Sequence, residues 1–113
     1  MLTIYHNPRC RKSRETLQLI EDSGELVEVI EYLKEVPSKE ELTKLIDYLG
    51  IQPFELIRKT EAEYKSLFKG KNLSDEEWVE AMTDYPKLIE RPIVVKDKKA
   101  IIGRPPENVK EFL

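Results

Sequence analysis

The chain has 113 residues, 36% of them charged and 40% hydrophobic, and a formal net charge of −3 at pH 7. This composition suits one soluble globular domain and excludes an intrinsically disordered chain. No apolar run approaches the ~20 residues that a helix needs to cross a bilayer, and the first residues lack the layout of a signal peptide. The small negative charge gives no general attraction to nucleic acid or anionic lipid. We therefore expect a cytoplasmic monomer that binds neither membrane nor nucleic acid.

The first third of the chain predicts a βαβ unit. Residues 2–6 form an apolar segment typical of a strand, and residues 26–30 are rich in β-branched side chains. Residues 11 to about 23 lie between them and predict a helix that ends at Gly24, with Leu17, Leu19 and Ile20 facing inward. The two strands are therefore expected to be parallel, with a right-handed crossover.

Residues 37–90 predict a helical insertion. Two sequences, Ser38-Lys39-Glu40-Glu41 and Ser74-Asp75-Glu76-Glu77, have the pattern of a capping box at a helix start. Shorter helical pieces are expected after Gln52-Pro53 and over residues 61–68. The side chains expected to face inward from the two capped helices are Leu42, Leu45, Ile46, Leu49, Trp78, Val79, Met82 and Tyr85. No linker composition flanks this region, so we expect one domain over residues 1–113 with 37–90 inserted in it.

The C-terminal part predicts a β-hairpin and a last helix. Residues 92–95 and 100–102 are the strands, residues 97–99 the turn, and Pro105-Pro106 starts the helix. A βαβ unit, a helical insertion and a ββα unit together have the layout of a thioredoxin-like fold. We therefore expect an α/β protein with one mixed four-stranded sheet and helices on both faces.

The best candidate for chemistry is Cys10, the only cysteine, which lies between the first strand and its helix. A free thiol has a pKa near ~8.5, and lowering it to about 6.5 requires roughly 2.7 kcal/mol of thiolate stabilisation. A helix N-terminus supplies about 0.3–1 kcal/mol, up to ~2. First-turn amides, the Ser13 hydroxyl and nearby cations are expected to supply the rest, and those cations are Arg9, Arg11, Lys12 and Arg14. These charged neighbours argue against the alternative of a buried structural cysteine.

Two further features bear on the type of site. His6, the only histidine, has either a structural role at the strand end or a role in tuning the thiol, and the sequence leaves both open. One Cys and one His cannot build a tetrahedral metal site unaided, so we expect no metal and no bound cofactor. A single cysteine also forms no internal disulfide, which fits a reducing compartment.

Four motifs resemble the glutaredoxin-dependent, ArsC-type arsenate reductases in order and spacing, across nearly the whole chain. They are Tyr5-His6-Asn7-Pro8-Arg9-Cys10 with Ser13, Ile57-Arg58-Lys59, Glu90-Arg91-Pro92-Ile93-Val94-Val95 and Gly103-Arg104-Pro105-Pro106-Glu107. The resemblance implies that Cys10 is the catalytic thiol. It further implies an oxyanion site made of Arg58, Arg91 and Arg104, with His6, Ser13 and Pro92 in supporting roles. It also implies a cis peptide bond between Arg91 and Pro92.

The resemblance implies a reaction as well. Arsenate, or a similar oxyanion, binds the arginines, the Cys10 thiolate attacks arsenic, and external glutathione and glutaredoxin reduce the adduct so that arsenite leaves. The single cysteine agrees with external thiols as reductants. Arg11-Lys12 stands where better-known members carry small residues such as Gly-Thr, which would allow a different anion or thiol substrate.

Two alternatives remain open at this point. One is a glutathione-dependent thiol oxidoreductase of another substrate, which would keep Cys10 without needing all three arginines. The other is a regulator resembling Spx, which shares the fold and binds RNA polymerase. Such regulators usually carry a Cys-x-x-Cys switch, whereas this chain has Ser13 at the second position.

Overall fold

A computed structural model describes all residues, Met1–Leu113, and divides them into two compact units. The first, called here the sheet unit, combines Met1–Glu35 with Arg91–Leu113. The second, the helical unit, is Val36–Glu90, within one residue of the predicted insertion. Whether the two fold as a single domain stays a prediction.

The sheet unit contains the predicted mixed four-stranded sheet. Its strands, in the spatial order β2-β1-β3-β4, are β1 (Leu2–His6), β2 (Val27–Glu31), β3 (Ile93–Lys96) and β4 (Lys99–Ile102). β1 and β2 are parallel, as expected, and the other two pairings are antiparallel. Ile4 lies at the centre, opposite Val29 on one side and Val94 on the other. This arrangement confirms the predicted sheet.

Helix α1 (Arg11–Ser23) connects β1 to β2 and ends at Gly24, whose φ of 81° is a left-handed conformation that glycine adopts without strain. Ile20 is fully buried, as predicted, whereas Leu17 and Leu19 are only partly buried. The two other buried residues of α1 are polar, Ser13 and Thr16. An apolar pattern does not reveal them, because both side chains are buried through hydrogen bonds.

The core of the sheet unit lies between the sheet, α1 and a C-terminal 3₁₀ helix (Pro106–Phe112). Its buried residues are Leu2, Ile4, Ile20, Val94, Val109 and Phe112. The predicted last helix therefore exists, but in the tighter 3₁₀ form. Val109 and Phe112 of this 3₁₀ helix pack in the same core as Ile20 of α1.

The helical unit contains α2 (Lys39–Leu49) and α3 (Asp75–Asp84). The side chain of Ser38 caps α2 by accepting from the Glu41 N–H over 3.1 Å. Ser74 and Glu77 form the predicted reciprocal capping box at the start of α3. Shorter helical turns complete the unit: 3₁₀ turns at Pro53–Leu56 and Pro86–Leu88 and a π-helical turn at Tyr64–Phe68.

Two details of the helical unit differ from the predictions. Tyr85, expected to face inward, follows the last turn of α3 and is 38% exposed, and Ala81 is buried instead. The unit is also not wholly helical, because Ile57 and Ile89 form an isolated antiparallel bridge. The bridge orders the short segment that contains Arg58.

Candidate active site around Cys10

Cys10 is the N-cap residue of α1, as expected, and residues 7–9 connect it to β1. A turn leads into the helix: the Cys10 N–H donates to the Asn7 carbonyl over 3.0 Å, and the Cys10 carbonyl accepts the first helical bond from the Arg14 N–H over 3.0 Å. The thiol is half-buried. The sulfur therefore lies beside the N–H groups of the first turn of α1, which have no partner within the helix.

Asn7 shapes this turn, and the sequence analysis assigned it no role. Its side-chain Oδ1 accepts from the Arg9 N–H over 3.0 Å, and its own N–H donates to Ser13 Oγ over 3.0 Å. Asn7 is only 8% exposed. Asn followed by Pro8 is a common signal for such a turn and could have identified it.

Ser13 lies between the turn and His6. Its Oγ is 2.7 Å from His6 Nδ1 and also accepts from the Asn7 N–H. We expect the His6 tautomer with its proton on Nε2, in which Nδ1 accepts the hydroxyl proton of Ser13.

The surroundings of His6 favour the same neutral form. Burial lowers the pKa of His6 most, and the charge of Arg14 lowers it further, while the carboxylates of Glu31 and Glu21 oppose the shift. A neutral imidazole that accepts from Ser13 acts on the sulfur only through the position of Ser13. His6 thus supports the thiol indirectly in this geometry.

Two arginines from the far end of the chain reach the sulfur. Arg104 donates from Nη2 to Cys10 Sγ over 3.4 Å, and its Nε donates to the Arg91 carbonyl over 2.8 Å. The Arg91 side chain also lowers the pKa of the thiol, through hydrogen bonding and through its charge. Both arginines are partly buried. The structure therefore brings Cys10, Arg91 and Arg104 together, as the resemblance implied.

The net effect of these neighbours is a lowered pKa of the Cys10 thiol. Burial, the largest single influence, raises it, but the Ser13 backbone amide and the Arg91 and Arg104 guanidinium groups together lower it by more. The Ser13 amide acts although the Cys10 side chain makes no formal cap hydrogen bond. The cations that lower the pKa of the thiol are thus Arg91 and Arg104. The neighbouring cations that were expected to lower it, Arg9, Arg11, Lys12 and Arg14, are not among these groups.

Gly103 lets the Arg104 segment approach α1. A Cβ atom there would lie 2.5 Å from Thr16 Oγ1 and 2.9 Å from Pro92 Cγ. Both distances are shorter than those that Cβ atoms keep from non-bonded atoms in proteins. Thr16 Oγ1 donates to the Lys12 carbonyl over 2.8 Å and lies 3.4 Å from the Gly103 carbonyl. The contact fixes the distance between Arg104 and the start of α1. The family motif contained Gly103, but residue pattern alone gave it no role.

The structure confirms the expected cis bond at Arg91-Pro92, and Pro92 is buried. Arg104-Pro105 is also cis, which the sequence analysis did not predict. The Gly103 N–H donates to the Pro92 carbonyl over 2.9 Å. The segments that carry Arg91 and Arg104 are therefore hydrogen-bonded neighbours.

Arg58 belongs to the helical unit, where its N–H donates to the Leu88 carbonyl over 2.6 Å. Its Nε is 3.2 Å from Glu61 Oε1, with side chains 24% and 22% exposed. A role for Arg58 at the thiol stays a prediction.

No group of three or more His, Cys, Asp or Glu side chains is arranged to hold a metal ion. No helix has the length and apolar character that crossing a bilayer requires.

Comparisons with known proteins agree with this geometry. The model of the ArsC family matches residues 5–112. An arsenate reductase of Haemophilus influenzae is 47% identical, covering 97% of this chain and 97% of the relative. "Uncharacterized protein YfgD" of Escherichia coli K12 is 49% identical over 97% of this chain and 94% of its own. A solved structure, "Arsenate reductase from Vibrio cholerae", superposes with a TM-score of 0.95 at 50% identity, covering 99% of this chain and 97% of that one. These matches confirm the thioredoxin-like fold, and the chain belongs to the ArsC family.

Proposed function

We propose that this protein is an arsenate reductase in which Cys10 is the nucleophile. The observation that carries the proposal is the contact between Arg104 Nη2 and Cys10 Sγ, 3.4 Å long, at the start of α1. A guanidinium at this position stabilises the attacking thiolate and lies beside any tetrahedral oxyanion that approaches the sulfur. Relatives named arsenate reductase match over nearly the whole chain, which supports the same activity.

The proposed oxyanion site consists of Arg91, Arg104 and the first-turn amides of α1. Guanidinium groups suit arsenate because they present planar, paired donors and stay charged at all relevant pH values. Backbone N–H groups at a helix start also bind tetrahedral anions. The same groups that stabilise the thiolate then offset the negative charge on arsenic as it reacts.

In the first step, the Cys10 thiolate attacks the arsenic of bound arsenate. An S–As bond forms, one As–O bond breaks, and the oxygen leaves as water after it takes up protons from solvent. Arsenic stays at oxidation state +5 in this covalent adduct. The depressed pKa of Cys10 favours this step, since the thiolate and not the thiol is the nucleophile.

The second step reduces arsenic from +5 to +3 with two electrons from external thiols. Two thiols are oxidised to one disulfide, arsenite is released, and Cys10 is regenerated. In the balance, one arsenate and two thiols give one arsenite, one disulfide and one water. Cys10 is the only cysteine among the 113 residues, so we propose glutathione and glutaredoxin as the thiols. This scheme needs a reducing compartment such as the cytoplasm, no resident cofactor and only one copy of the chain.

The test is arsenate-dependent NADPH oxidation with glutathione, glutathione reductase and glutaredoxin. Wild-type protein is expected to turn over, and Cys10→Ser to be inactive while its circular dichroism spectrum stays unchanged. Arg104→Gln is expected to lower turnover. Arg11→Gln is its matched control, because the Arg11 guanidinium pairs with Glu15 over 2.8 Å. Omission of glutaredoxin, with glutathione kept, tests which thiol completes the cycle.

A folded wild-type protein without arsenate turnover would refute this function. If its thiol pKa were still depressed, the remaining candidate would be a glutathione-dependent oxidoreductase of another substrate. The basic Arg11-Lys12 pair is the feature that would suit a different anionic substrate.

A further inference from the structure

We propose that the open edge of β2 binds an extended, basic segment of a partner protein as an added antiparallel strand. The inference concerns a surface of the sheet unit other than the thiol site and does not depend on the proposed function. It rests on the backbone of β2, on its exposed apolar side chains and on the charge around them.

The backbone of β2 has one unused side. β2 is an edge strand and pairs only with β1. The Leu2 N–H donates to the Leu26 carbonyl, so Leu26, and by alternation Glu28 and Ile30, direct their backbone groups toward β1. Val27 and Val29 then direct their N–H and C=O groups outward. An incoming strand would find two residues with free donors and acceptors.

The free edge of β2 ends at Glu31. The Glu31 carbonyl accepts from the Lys34 and Glu35 N–H groups, each over 2.9 Å, so the chain turns away after β2. The added strand would therefore be short and centred beside Val29. Antiparallel pairing suits it because each ladder bond is then perpendicular to the strands.

Exposed apolar side chains flank this edge. Leu26 is 74% exposed and Val29 43% exposed. Proteins usually blunt an exposed edge with proline, a bulge or lysine. β2 has no proline, bulge or lysine over Val27–Glu31, and the only charged side chains among these five residues are Glu28 and Glu31.

The charge of this edge selects the partner. Residues 25–31, which contain β2, have three acidic residues, Glu25, Glu28 and Glu31, and no basic residue. Lys34, after the strand, lies 3.7 Å from the carboxylate of Glu31. Two copies of this edge would bring like charges together, which opposes self-pairing, while lysine or arginine on an incoming strand would be attracted.

The side-chain alternation of β2 specifies the pattern of the incoming segment. Leu26 and Glu28 lie on one face of the strand, and Val29 and Glu31 lie on the other. Each face thus offers one apolar and one acidic side chain. A segment in which two aliphatic residues alternate with two basic residues would present a matching pair to both faces.

The direct test uses a short capped peptide of two aliphatic residues followed by two lysines, repeated, labelled with a fluorophore. Fluorescence anisotropy measures its binding to the full chain at low salt, and amide hydrogen exchange locates it. We expect saturable binding and slower exchange of the Val27 and Val29 amides. A peptide with N-methylated alternate amides on its pairing side should not bind.

Two variants distinguish peptide binding at the β2 edge from general electrostatic attraction to the protein. Glu28→Lys should weaken binding roughly tenfold, because an attraction becomes a repulsion. Asp47→Lys makes the same charge change on an exposed position of α2 and should leave the affinity unchanged within about twofold. A peptide with glutamate in place of lysine should prefer the Glu28→Lys variant.

Several results would overturn the proposal. They are the absence of peptide binding to the wild type, equal binding of the N-methylated peptide, or equal losses in both variants. Self-association in sedimentation experiments that Glu28→Lys abolishes would instead assign the edge to a second copy.

Discussion

The guanidinium of Arg104 donates to the sulfur of Cys10 over 3.4 Å, although 94 positions of the chain separate the two residues. Arg104→Gln keeps hydrogen-bonding groups and removes the charge, so the pKa of Cys10 should rise toward that of a free thiol. The pH dependence of alkylation by iodoacetamide measures this shift directly. Arg11→Gln is the control, and an unchanged curve in Arg104→Gln would contradict the role of Arg104.

The lowered pKa of Cys10 also makes stability depend on pH. The folded state favours the thiolate, so its contribution to the free energy of unfolding is complete above about pH 8.5, the free-thiol pKa. That contribution is lost as the pH falls through the lower folded-state value. Urea unfolding under reducing conditions should therefore show the stability advantage of wild type over Cys10→Ser increasing as the pH rises toward about 8.5. A constant difference would argue against a shifted thiol.

Protonation of His6 should also lower the free energy of unfolding as the pH falls, but in a lower pH range than for Cys10. Burial lowers the pKa of its imidazole, so the unfolded chain takes up a proton more readily as the pH falls below about 6.5. The contribution of neutral His6 is thus present above that pH and lost below it. Ring nitrogen chemical shifts should show an unprotonated Nδ1 near neutral pH. A protonated Nδ1 would mean that Ser13 accepts from His6 instead of donating.

The Gly103 contact predicts a steric cost. Gly103→Ala places Cβ 2.5 Å from Thr16 Oγ1, and we expect a loss of roughly 1–3 kcal/mol in the free energy of unfolding. Thr16→Ala removes the obstructing atoms, so the double variant should lose less than the sum of the two single variants. Denaturant unfolding of all four proteins tests this, and strict additivity would show that the contact is not tight.

The capping box of α3 predicts an effect confined to stability. Ser74→Ala removes the acceptor for the Glu77 N–H and should lower the free energy of unfolding by about 0.5–2 kcal/mol. Ser66→Ala, at an exposed position outside any cap, is the control. The alkylation rate of Cys10 should be the same in both variants, because neither serine is among the groups that shift the pKa of the thiol.

Local patterns predicted most of the secondary structure. The strands are short β-branched runs, and the capping sequences at Ser38 and Ser74 mark both long helices of the helical unit. The errors occur where tertiary contacts decide the outcome. β2 begins one residue later than predicted, although the Leu26 carbonyl still accepts from the Leu2 N–H. α3 ends at Asp84, so Tyr85 does not continue the buried face of the helix.

The site was only partly predictable. Position at the start of a helix identified Cys10, but the nearby cations were expected to tune it, and the structure assigns this effect to distant arginines. Side chains that meet across 94 positions leave no trace in local periodicity. The resemblance supplied Arg91 and Arg104, whereas the buried contact of Thr16 with Gly103 emerges only from three-dimensional packing.

The residues around the sulfur are added to the chain at different stages of its synthesis on the ribosome. Cys10 and Ser13 are made within the first 13 residues, while Arg91 and Arg104 are added near the other end of the sequence. A nascent chain that stops before residue 91 therefore has a cysteine without the two guanidinium groups that lower its pKa. A chain truncated before residue 91 should therefore have a Cys10 pKa closer to that of a free thiol than the complete chain has.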